Sequence, residues 1–167
     1  MRKLSLITII LLLFIMLNGC MVYHNLNTEQ TNKFKKEIRT NYKRIKNLEI
    51  KYAIPSICFN YSFEKTSEDE MFDIFYETKN LIQNEDFQKD FFKKFFKTYF
   101  KKESDQKIYP EAYVHFDFNN DGEDEYQFYS MYYKQSYNSG EENEIDGYKT
   151  WTYWDFKNEP KPVPEKK

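Results

Sequence analysis

The spacing of apolar and polar positions changes several times along this chain, and each change marks an element. Leu4 through Leu17 is apolar apart from Ser5 and Thr8. At about fourteen residues this run falls short of the ~20 that a membrane-spanning helix needs, and it suits the hydrophobic stretch of a secretion signal. From Met21 to about Glu29 the chain is polar and shows no period. Phe34, Ile38, Tyr42, Ile45 and Leu48 then recur at spacings of three and four, which predicts an amphipathic helix capped by Thr28 or Thr31. The period drops to two at Ile57, Phe59, Tyr61 and Phe63, alternating with Ser56, Cys58, Asn60 and Ser62, as in a half-buried strand. Ser67 followed by Glu70 resembles a capping box, and Met71, Ile74, Phe75 and Leu81 continue a helical stripe. Asn84 interrupts it, after which Phe87, Phe91, Phe95 and Tyr99 form a second stripe beside Phe92, Phe96 and Phe100.

After Pro110 the two-residue period returns, with Val114, Phe116 and Phe118 facing one way and Tyr113, His115 and Asp117 the other. Further strands are predicted from about Glu125 to Lys134 and from Tyr148 to Phe156. The order predicts an α+β fold: an antiparallel sheet of about four strands packed against one long helix or helix pair, with an N-terminal amphipathic helix. Residues 1–19 read as a signal, 20–29 as a tether, 30–156 as a single domain and 157–167, with Pro160, Pro162 and Pro164, as a disordered tail.

Composition refines this picture in two ways. Aromatic residues make up 20 % of the chain, with 16 Phe and 15 Tyr, enough to fill a core or to line a surface for a sugar or wall polymer. The net charge of −2 gives no sign of nucleic-acid binding, and removing Arg2 and Lys3 with the signal makes it more negative. Charge is unevenly placed, however. Basic residues dominate from Lys33 to Lys51, where the helix has a face suited to anionic lipid heads, and acids dominate from Asp117 to Asp146.

Arg2 and Lys3, the apolar run, and then Leu17, Asn18, Gly19 and Cys20 together resemble the signal and lipobox of bacterial lipoproteins. Asn18 is slightly larger than the usual residue there. The resemblance covers only the first twenty residues. It implies cleavage between Gly19 and Cys20, a diacylglyceryl group on Cys20, and a cell-membrane anchor on the extracytoplasmic face. Two acyl chains are enough to hold a soluble domain, since each buried methylene contributes ~0.8 kcal/mol. With Cys20 lipidated, Cys58 has no partner for an intramolecular disulfide.

Asp117, Asn119, Asp121, Gly122 and Glu125 place oxygen-bearing side chains at loop positions one, three, five and nine, with glycine at six. This resembles the calcium loops of the EF-hand and of FG-GAP-like β-repeats. The resemblance implies a calcium site with Asp117, Asn119, Asp121 and Glu125 as ligands. The pattern departs from the EF-hand at position twelve, where Phe128 replaces the bidentate glutamate, and the flanks read as strands. Asn, Asp and Gly between two strands are also what a hairpin turn requires, so turn and cation site are both open.

No glycine-rich phosphate loop or catalytic set is legible. Cys58 and His115 are the nearest to a nucleophile and base, and His24 lies in the tether. The expectation is therefore a membrane-anchored binding or interaction domain for an envelope protein or wall polymer. A cell-envelope enzyme and an inhibitor or immunity-type lipoprotein are the alternatives.

Overall fold

The amphipathic spacing from Phe34 to Leu48 belongs to two elements. A computed structural model describes residues 22–101, 108–134 and 144–166. Thr28 caps helix α1 (Glu29–Asn41), its hydroxyl accepting from Thr31 N while the Thr31 side chain accepts from Thr28 N. The helix buries Phe34 and Ile38 and ends at Asn41, short of the predicted extension to Leu48. Ile45–Ala53 is strand β2 instead. A β-bulge between Ile45 and Asn47 explains the error: the extra residue lets Ile45 and Leu48 both face inward at a helical separation. Beyond the bulge, Leu48, Ile50 and Tyr52 alternate as a strand requires.

Strand β3 (Ser56–Phe63) follows through a turn containing the cis Ile54–Pro55 bond. Helices α2 (Glu68–Gln83) and α3 (Glu85–Tyr99) come next. Asn84 serves both, closing α2 and capping α3, where its side-chain oxygen accepts from Phe87 N at 3.0 Å. Ser67 caps α2 by accepting from Glu70 N. The Glu70 carboxylate does not complete a box; it turns to the Thr66 hydroxyl and Arg44. Strands β4 (Glu111–Asp117), β5 (Tyr126–Ser130) and β6 (Thr152–Trp154) complete the predicted set.

The predicted sheet of about four antiparallel strands is corrected, among the described residues, to a mixed sheet of seven with three helices. The two added edge strands come from segments expected to lie outside the domain. β1 (His24–Asn25) pairs with β2, and the next residue, Leu26, is fully buried and donates its N–H to Ile50 O. β7 (Lys161–Pro162) pairs with β6, and the Tyr76 hydroxyl donates to Pro164 O at 2.7 Å. The strands run in chain order from β1 to β7, and every neighbouring pair is antiparallel except β3–β4. That pair is parallel because α2 and α3 carry the chain back between them; a crossover of this kind needs a dozen or more residues.

The three helices share one core with alternate strand positions, including Ile50, Phe59, Tyr61, Val114, Phe116 and Phe128. Phe75 of α2 stacks on Phe128 with centroids 4.1 Å apart, and Phe87, Phe91 and Phe95 of α3 are all buried. Burying one such ring contributes roughly 1.5–3 kcal/mol. Buried hydroxyls are satisfied within the core: Tyr61 pairs with Thr78 at 2.7 Å, and Tyr148 donates to Pro110 O at 2.6 Å.

Candidate functional site

Alternation fixes what the opposite face of the sheet carries. With Ile57, Phe59 and Tyr61 turned to the helices, Cys58, Asn60 and Ser62 of β3 face the other way. The same rule places Tyr113, His115 and Asp117 of β4 on that face. The parallel register sets Asn60 opposite His115 and Ser62 opposite Asp117. Together with Glu49 and Lys51 of β2 and Asp124 of the β4–β5 connection, they line a concavity of about 500 Å³. Every lining residue belongs to a strand, to the β4–β5 connection or to the segment just before His24; none belongs to a helix.

His115 is the centre of this surface. Its Nδ1 lies 2.8 Å from the Asp124 carboxylate, and its ring stacks against Tyr113 at 5.9 Å. Burial alone would lower the His115 pKa, but hydrogen bonds to Asp124 and Cys58 outweigh it and raise the pKa to about 9. Nδ1–H donates to the carboxylate, which leaves Nε2 as the ring nitrogen available to Cys58. The thiol is buried and also lies 3.7 Å from the Ser56 hydroxyl. Burial, and then the 2.5 Å hydrogen bond to Glu111, raise the Tyr113 pKa. Lys51 pairs with Glu49 at the rim.

The structure thus brings Cys58 and His115 together, as their alternation suggested, and adds Asp124, which the sequence pattern did not single out. Its signal was position: a carboxylate just before β5, the strand paired with β4, reaches back over the histidine face. His24 does not join them. It packs between Tyr52 and Tyr99, with centroids 5.5 and 5.7 Å away.

Asp117, Asn119, Asp121 and Glu125 also come together, in one turn whose oxygens point onto its own backbone. Asp117 Oδ1 accepts from the N–H groups of Asn119, Asn120 and Asp121 at 3.3, 2.5 and 3.3 Å, and Oδ2 accepts from Gly122 N at 3.0 Å. Asn119 accepts from Asp121 N and Asp121 from Glu123 N. Glu125 closes the far side, accepting from Phe118 N at 2.6 Å and from the Asn119 amide at 3.0 Å. Asn120 and Gly122 both adopt positive φ, where glycine has no Cβ penalty. Among the described residues, no group of three or more His, Cys, Asp and Glu side chains is arranged to hold a metal ion. Buried Asp146 performs a similar service, accepting from the backbone N–H groups of Lys149 and Thr150.

Leu17, Asn18, Gly19 and Cys20 lie outside the described residues. Among those described, no helix is long and apolar enough to cross a membrane. Compared with protein-family models, curated proteins and solved structures, the chain matches none.

Proposed function

We propose that this protein is a lipid-anchored extracytoplasmic domain that binds a polar envelope partner or wall polymer on the open face of its sheet. The anchor rests on the resemblance of Leu17 to Cys20 to a lipobox. The binding half rests on one observation: the helices take one face of the sheet, while the other presents the concavity around His115. Lys51, Glu49, Asn60 and Asp124 give that surface donors and acceptors of both signs, which suits a hydrogen-bonding partner better than an apolar one.

One experiment in cells tests both halves. A photo-crosslinking side chain at Asn60, on the open face, is expected to give discrete adducts, whereas the same group at exposed Lys93 on α3 gives none. Cys20→Ser is expected to move the protein from the membrane to the soluble fraction. Equal adducts from both positions would overturn the binding face, and unchanged membrane retention would overturn the anchor.

A further inference from the structure

Cys58 lies at the floor of the open-face concavity, where a thiol, an imidazole and a carboxylate meet in sequence. Ser56, Cys58 and Asn60 share one side of β3, and the parallel register brings His115 of β4 diagonally beside Cys58. Asp124 fixes the ring from its Nδ1 side at 2.8 Å. This is the order of groups that activates a nucleophile: an imidazole lines the same concavity as the thiol, and a third group orients the imidazole. None of this is needed for packing, because the core lies on the other side of the sheet.

We propose that Cys58 is a reactive thiol that captures small polar disulfides covalently, with His115 and Asp124 as its positioning residues. The inference rests on the open face being the binding surface and names one class of ligand for it. The concavity, at about 500 Å³, has room for a small molecule, and a thiol at its floor is out of reach of a folded protein's disulfide. Charged and amide groups at the rim favour a polar molecule. The extracytoplasmic space is also where disulfides persist.

The exchange balances without another reagent. The Cys58 proton passes to solvent water, the charged His115 imidazolium favours the resulting thiolate, and the thiolate attacks one sulfur of the external disulfide. The external S–S bond breaks as the Cys58 S–S bond forms. The departing thiolate takes the electron pair and then a proton, leaving as a thiol. Cys58 is oxidised and half of the incoming disulfide is reduced.

The test uses the full chain in detergent with bis(2-hydroxyethyl) disulfide at pH 7. Peptide mass spectrometry reads Cys58 separately from Cys20. An ordinary thiol is only a few per cent thiolate at that pH, so a charged His115 that favours the thiolate should accelerate exchange about tenfold over the same cysteine in the urea-unfolded chain. His115→Gln and Asp124→Asn, each checked for native near-ultraviolet circular dichroism, should remove most of that advantage. Asp124 lies in a connection and makes no packing contact in the core, so its variant stands in if His115→Gln fails to fold. A folded Cys58 slower than the unfolded one, or a rate unchanged in both variants, would overturn the proposal. An inert Cys58 in a chain that still cross-links through Asn60 would do so too and leave the binding face standing.

Discussion

Replacing Asp117 separates a turn that holds itself from a turn held by a cation. The carboxylate is nearly buried, at 8 % exposure, and accepts four backbone N–H groups. Three of these share Oδ1, and two of the three are long at 3.3 Å, so the Asn120 and Gly122 bonds carry most of the interaction. A hydrogen bond to a charged group contributes about 1.5–3 kcal/mol, and water recovers part of the loss at an exposed loop. Asp117→Ala should therefore cost about 2–4 kcal/mol. Asp117→Asn keeps one oxygen acceptor but turns its NH₂ toward one set of N–H donors, so its cost should fall between wild type and alanine. The assay is urea unfolding followed by the fluorescence of Trp151 and Trp154, run with and without a chelator. If the alanine variant unfolds at the wild-type midpoint, the hydrogen-bonding account of the turn is wrong. If chelator alone removes several kcal/mol from the wild type, the turn depends on a cation and the calcium resemblance gains support.

Two further perturbations report on other parts of the molecule. The folded-state pKa of His115, about 9, is raised above its unfolded value near 6.5, so its contribution is fully present below about pH 6.5 and fades as pH rises through 9. That contribution is on the order of 2 kcal/mol after discounting for the partly exposed Asp124, and the urea midpoint of His115→Gln should show a flatter slope between pH 6.5 and 9. Deleting residues 157–167 removes β7, the Val163 N–H bond to Trp151 O and the Tyr76 bond to Pro164. It should lower the melting temperature by several degrees, corresponding to roughly 1–3 kcal/mol, and an unchanged transition would show that the tail does not stabilise the domain.

Strong, uninterrupted periods were legible in the sequence. Ile57 to Phe63 and Val114 to Phe116 announced their strands, and Phe87, Phe91 and Phe95 their buried stripe. Asn84 announced the break between α2 and α3 because its side chain can do what the backbone there cannot. The misread elements have two causes. At Ile45 and Leu48 a bulge imitated helical spacing. His24–Asn25 and Lys161–Pro162 are two-residue strands, too short to show any period, and their partners alone recruit them. At the site, alternation placed Cys58 and His115 on one face. Nothing local to either could say that β3 and β4 are neighbours, or that Asp124 reaches back across β5's start.

The lone parallel seam has a consequence for how the molecule forms. The β2–β3 and β4–β5 ladders join segments close in sequence, whereas β3–β4 closes only after two helices have been threaded between them. Closing a long loop costs entropy before contacts repay it, so this seam is expected to zip up late, on the scale of the whole folding transition. Cys58 lies on one side of that seam and His115 on the other. Their pairing is therefore an intrinsic marker of completed folding: a partly folded chain has both residues but not the pair.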